Sequence, residues 1–188
     1  MLQTPSMGPF TVRRLSGVTD GQIRELAELL IDCVEGGASV SFMRPLGLKK
    51  ASAFWRRAAD AVVKGERALI VAEDSRGIVG TAQLILDLPE NQPHRADFSK
   101  MLVHRRARRH GVGTAVLRAA EEVAIELGKT ILVLDTANGD AERLYARYGW
   151  VRVGVVPDYA LLPGGGLCDT AFYYRRLRPV AYPVALLS

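Results

Sequence analysis

Met101-Leu102-Val103-His104-Arg105-Arg106-Ala107-Arg108-Arg109-His110-Gly111-Val112-Gly113-Thr114 is the stretch that decides the fold. A β-rich run ends at Val103, four arginines crowd the turn, two glycines follow, and an apolar repeat of helical period begins at Gly113. That order predicts an anion cradle. Glycines let backbone N–H groups approach a ligand closely, and a helix N-terminus adds partial positive charge. Arg105, Arg106, Arg108 and Arg109 supply full charges. The competing reading is a solvated basic loop whose glycines merely make the turn, because a Gly-x-Gly pair alone is a weak signal. No Gly-Lys-Ser/Thr follows, so this is not a Walker A loop, and the third glycine of a dinucleotide fingerprint is missing.

Upstream, residues 11–15 form a short first strand, and a helix starts at Asp20 with Ile23, Leu26, Ala27, Leu30, Cys33 and Val34 on one face. Gly36 and Gly37 end it. A second helix spans residues 48–64, with Ala51, Phe54, Trp55, Ala58 and Val62 as its buried stripe. Strands follow at residues 68–73 and 78–86 around a 74–77 turn, then at 98–103. Downstream come a helix over 113–127, a strand over 131–136, a short helix over 140–148, and strands at 150–156 and 170–177 around a 157–169 loop. The order is one strand, two helices, three strands, helix, strand, helix, two strands. The 98–136 unit predicts a right-handed parallel crossover within a mixed sheet.

The 188 residues suit one domain, residues 11–177, with terminal segments 1–10 and 178–188. With 48% apolar and 24% charged residues the composition is globular, and no apolar run approaches the roughly 18 residues of a membrane span. Neither a secretory signal nor a membrane partner is expected. Cys33 and Cys168 lack metal-ligand spacing, and a reducing cytoplasm is the simpler compartment. Cys168 reads as loop-borne. The net charge of +5 favours a polyanionic partner: nucleic acid, a membrane surface or a phosphorylated cofactor.

Arg108-Arg109-His110-Gly111-Val112-Gly113 resembles the Gln/Arg-x-x-Gly-x-Gly/Ala signature of the GNAT superfamily of N-acetyltransferases. Asn138-Gly139-Asp140-Ala141-Glu142-Arg143-Leu144-Tyr145 is similar to that family's Asn-x-x-Ala-x-x-x-Tyr pattern, and Tyr148-Gly149-Trp150 to its aromatic-Gly-aromatic. The resemblance covers residues 11–177. Gly36 to Met43, Ala82-Gln83-Leu84, Lys100 to Val103, Leu134-Asp135-Thr136, Val153-Gly154 and Thr170-Ala171 look most like the tabtoxin-resistance type, although one residue is missing between Thr136 and Tyr145. The resemblance implies a mixed α/β (α+β) fold. Its mostly antiparallel sheet has about six to seven strands, a parallel crossover from fourth to fifth strand through the third helix, and flanking helices.

It also implies acetyl-CoA as cosubstrate; no His/Cys/Asp cluster in the sequence suggests a metal. Met101, Leu102 and Val103 would hold pantetheine and the thioester carbonyl, on a fourth strand splayed from the fifth by a bulge. Arg108, Arg109, His110, Gly111, Val112, Gly113 and Thr114 would line the phosphate side. Asn138 would bond pantetheine or cap the short helix, and Ala141 and Tyr148 would sit beside the cofactor.

Tyr145 is the expected general acid, a phenol suited to protonating a departing thiolate; the alternative is an aromatic core residue. Asp135 is the expected base or relay, on the premise that it is buried, against a role in holding the loop. Asp97 and Glu73 are weaker candidates, and the fourth strand lacks the glutamate that many members carry. The acceptor would lie against Ser39, Phe42, Met43, Tyr159 and Cys168, between the first two helices and the last hairpin.

A small-molecule amine, in the narrower resemblance an amino-acid-like β-lactam toxin, is the favoured acceptor. A protein or peptide amine is the alternative. A nucleic-acid module ranks lower, since residues 105–109 contain no stacking aromatic. The apolar 180–187 tail permits a homodimer.

Overall fold

Each change of period along the chain becomes an element. The computed structural model describes residues 10–137 and 139–177. In chain order these hold β1 (Thr11–Leu15), α1 (Asp20–Glu35), α2 (Leu48–Val63), β2 (Arg67–Asp74), β3 (Gly77–Ile85), β4 (Arg95–Val103), α3 (Val112–Glu126), β5 (Ile131–Thr136), α4 (Gly139–Arg147), β6 (Val151–Leu161) and β7 (Leu167–Arg176). The strands form one seven-stranded sheet in the order β1-β2-β3-β4-β5-β7-β6. Every pairing is antiparallel except β4 with β5. This is the mixed, mostly antiparallel sheet that the sequence predicts.

Local chemistry explains the helices. Thr19 and Gln22 close a capping box at the start of α1, in which each side chain accepts from the other's backbone N–H. Such a cap contributes about 1 kcal/mol. The stripe Ile23, Leu26, Ala27, Leu30, Cys33 and Val34 is buried as its spacing predicts. In α2, Ala51, Trp55 and Ala58 are buried, whereas Phe54 and Val62 are half-buried.

The sheet separates two cores. One packs Ile70, Leu84 and Phe98 against Val116, Leu117 and Ala120 of α3. The other packs Leu69 and Val71 against Leu26, Leu30 and Trp55 of α1 and α2. Leu102 of β4 belongs to the second. The start of α3 sits tight on the sheet: a Cβ on Gly80 would fall 2.6 Å from Val112 Cγ1.

The last hairpin departs from expectation. The predicted 157–169 loop is mostly strand, and Cys168 lies in β7 rather than in a loop. Pro157 and Asp158 fall where the β6–β7 register shifts, between Val156 and Ala160, on an edge strand. A proline costs no ladder hydrogen bond at such a place, so it does not end the strand.

Candidate active site

The parallel pairing of β4 and β5 covers Arg95↔Ile131, Ala96↔Leu132 and Asp97↔Val133, and then stops. On its other side β4 carries an irregularity, with Thr81 opposite Leu102 but Gln83 opposite Ser99. Lys100 absorbs the extra residue with φ +51°, a value rare outside glycine. Past Asp97 and Val133 the two strands no longer pair, and a cavity of about 630 Å3 opens in the gap. Residues 98–103 form one wall, with Asp135 and Thr136 of β5 opposite. At one end stand Arg108, Arg109, Gly111, Gly113 and Thr114, and at the other Ser39, Val40 and Ser41 of the α1–α2 loop.

The four arginines of the turn divide into two pairs, which corrects the expectation that all four line the cradle. Arg105 donates from its backbone N and its Nε to Asp32, at 2.9 and 2.8 Å. Arg106 donates to both carboxylate oxygens of Asp74. Burial raises the Asp32 pKa, but the bonds from Arg105 and the nearby His104 outweigh it and leave the carboxyl below its ordinary value. Arg108 and Arg109 remain at the cavity, where Arg108 Nε donates to the Val103 carbonyl at 3.3 Å. Gly111 heads α3 at φ +82°, and the first N–H groups of a helix have no intrahelical acceptor. Sequence reasoning missed Arg143 and Arg147, which α4 brings to the same cavity. Their spacing of four places them on one helix face, but nothing local says what that face meets.

Tyr145 is packed in the core and also lines the cavity. Its ring packs edge-on against Phe98 and lies tilted against Trp150 and Tyr173. The residue nonetheless lines the cavity, and its hydroxyl donates to Met101 Sδ at 3.9 Å. Burial, and secondarily the charge of Asp135, push the phenol pKa well above its ordinary value. Asp135 also lines the cavity but is exposed, which corrects the expectation of a buried carboxylate. Asp97 pairs with Arg95, and Glu73 accepts from Arg13 at 2.7 and 3.0 Å; neither borders the cavity.

Met101, Leu102, Val103 and Ala141 border the cavity with Tyr145. His110, Val112 and Tyr148 do not: His110 is exposed, Val112 is buried in the core, and Tyr148 lies 5.1 Å beneath the Arg118 guanidinium. Of the expected acceptor residues, only Ser39 reaches the wall. Phe42 packs edge-on against Phe54 and Tyr159 against Phe172, while Met43 is exposed. Asn138 lies outside the described residues, as do 178–188. Lys100, Ser41 and Thr136 join the wall unpredicted. Among the described residues no group of three or more His, Cys, Asp or Glu could hold a metal, and no helix is long and apolar enough to cross a membrane.

The fold has known counterparts. A protein from Azospirillum brasilense, an uncharacterized N-acetyltransferase from the hisH–hisA intergenic region, is 29% identical over 131 residues, or 69% of this chain and 76% of that protein. The structure of yncA from Salmonella typhimurium with its cofactor acetyl-CoA superposes with a TM-score of 0.76 at 18% identity, covering 95% of this chain and 99% of that one. Ribosomal-protein-alanine N-acetyltransferase from Brucella melitensis gives 0.73 at 21% identity, covering 88% and 98%. At such identities these two likenesses speak to the fold alone. The family model of the acetyltransferase (GNAT) family matches residues 25–150, taking in the splayed strands, the basic turn and Tyr145, and the chain belongs to that family.

Proposed function

We propose that the protein transfers an acetyl group from acetyl-CoA to the amine of a small molecule, which attacks the thioester directly. The observation that carries this is the gap between β4 and β5, with a cationic helix start at one end and a protonated phenol in its wall. The residues suit the cosubstrate. Arg108, Arg109 and the N-terminus of α3 offer full and partial positive charge to a pyrophosphate, and residues 101–103 offer backbone with no partner on β5.

When bound, acetyl-CoA supplies the acetyl group as a thioester. Backbone N–H of β4 would polarise its carbonyl, an interaction worth roughly 3–4 kcal/mol in such sites. The Tyr145 hydroxyl, held protonated by burial, would give its proton to the departing sulfur. Asp135 would take the amine's proton directly or through water, and proximity supplies much of the remainder. In this account residues 11–177 act as one domain, and two free cysteines fit a reducing compartment such as the cytoplasm.

A small acceptor is favoured over a protein segment by the covering of the acceptor end. The α1–α2 loop is latched to the last hairpin: Ser39 Oγ donates to the Leu161 carbonyl at 3.4 Å, and the Cys168 thiol to Ser39 Oγ at 3.8 Å. Arg44 N donates to the Pro163 carbonyl at 2.9 Å. A β-lactam amino acid of the tabtoxin type is the narrower candidate.

The test is free-thiol release from acetyl-CoA across that β-lactam amino acid, polyamines, aminoglycosides and peptides. Release with one small amine, lost in Tyr145→Phe, is the expected result. Release with peptides alone would replace the acceptor class. Acetyl-CoA binding without release from any amine would leave the family and remove this activity.

A further inference from the structure

Lys100 is a cavity residue that the proposed transfer leaves without a task. The extra residue of β4 is Lys100 itself, and the cost of its left-handed backbone is met by the pairing on either side. Its ammonium donates to Ser41 Oγ at 3.1 Å and lies 5.9 Å from the centre of the Phe54 ring. Both contacts belong to the acceptor end, on the α1–α2 loop and α2. The residue is half-buried, and among the described residues no carboxylate comes within 4.0 Å of its ammonium. Burial lowers its pKa while the charge of Asp135 partly restores it. An ammonium so placed is costly unless an anion completes it.

A second observation lies beside it. Gln83 is fully buried and stands in register opposite Ser99 of the cavity wall. Its Oε1 accepts from Arg67 Nη1 at 2.6 Å, while its Nε2 has no hydrogen-bond partner among the described residues. Arg67 is near enough to oppose the charge on Lys100. Neither Arg67 nor Gln83 borders the cavity, so the cation that faces it there is Lys100, with Arg67 adding to the positive field. An acceptor that brings only a second positive charge there is repelled, and one that carries an oxyanion is attracted.

The geometry points to an amine that also bears a carboxylate as the acceptor, with the ammonium of Lys100 as its anchor. This rests on the acetyl transfer proposed above and narrows its substrate. It disfavours polyamines, aminoglycosides and lysine side chains of proteins, which present positive charge alone.

The experiment compares L-methionine, L-threonine and the β-lactam amino acid with their carboxamides as acceptors. The amide's amine is the less basic of each pair and so the more available at neutral pH, which sets intrinsic reactivity against the expected preference. The wild-type protein should favour the acid at least 10-fold in kcat/KM. In Lys100→Met that ratio should collapse toward one through a rise in the acid's KM, and Lys100→Arg should restore most of it. Equal use of acid and amide by the wild type would overturn the anchor, as would a fall in kcat for both in Lys100→Met with the ratio kept. Calorimetric binding of the same pairs in the presence of CoA separates the two proposals. Acid binding that depends on Lys100 without any transfer sustains the anchor and sinks the transfer. Transfer without acid preference does the reverse, and no Lys100-dependent binding of any acid sinks the anchor.

Discussion

The hydroxyl of Tyr145 and the sulfur of Met101 meet at 3.9 Å across the mouth of the gap between β4 and β5. A thioether is a weak acceptor, so the phenol proton is held in place without being strongly engaged. The phenol, packed against Phe98, Trp150 and Tyr173, is thus held by ring packing rather than by a polar network.

Tyr145→Phe should lower kcat by about 100-fold or more and leave the KM for acetyl-CoA nearly unchanged. The ring and its contacts survive the change, so the Tm should stay close to wild type. An unchanged kcat would remove Tyr145 from the mechanism.

The raised phenol pKa has a direction in pH. A donor works while protonated, and raising its pKa extends that range upward, so activity should not decline as pH approaches the ordinary tyrosine value of about 10. An alkaline limb centred at or below that value, present in wild type and absent from Tyr145→Phe, would contradict the burial argument.

The division of the arginines separates binding from stability. Arg108→Ala with Arg109→Ala should raise the KM for acetyl-CoA about 10-fold or more, and that for the amine far less, since charge-assisted bonds are worth about 1.5–3 kcal/mol. Arg105→Ala, which breaks the bond to Asp32, should lower the Tm and leave the KM for acetyl-CoA near wild type. Equal effects of the two variants on KM would mean the pairs do not differ.

Asp74 is held below the ordinary carboxylate range first by the side-chain bonds of Arg106; in Asp32 burial works the other way but is outweighed by Arg105. A depressed carboxyl contributes stability that is complete above its unfolded pKa, about 3.9, and is lost as pH falls through the folded value. The Tm should therefore drop below about pH 4. Asp74→Asn should start lower at pH 6 and fall less steeply through that window, and parallel curves would deny the linkage.

Gly80→Ala should destabilise by about 1–3 kcal/mol, because the new methyl would meet Val112 Cγ1 at 2.6 Å. Adding Val112→Ala should recover part of the loss, a coupling readable by thermal denaturation of the two single variants and the pair. Strict additivity would show that the α3 start does not press on β3.

The order of elements, the buried face of α1, and the turn that brings Arg108, Arg109, Gly111 and Gly113 together were legible in the chain itself. Periodicity, caps and turn chemistry act over a few residues, so a linear reading captures them. Tyr145 was found through its place in a family pattern. Which arginines stay free was not legible, because Arg105 meets Asp32 across 73 positions and Arg106 meets Asp74 across 32. Nor were the exposure of Asp135, the latch from Ser39 to Leu161, or the turning of Lys100 into the acceptor end. Each depends on where a strand stops pairing or on what a distant loop covers. Local preference ranks the conformations of a segment, but only the assembled sheet decides which charges are neutralised and which are left facing the cavity.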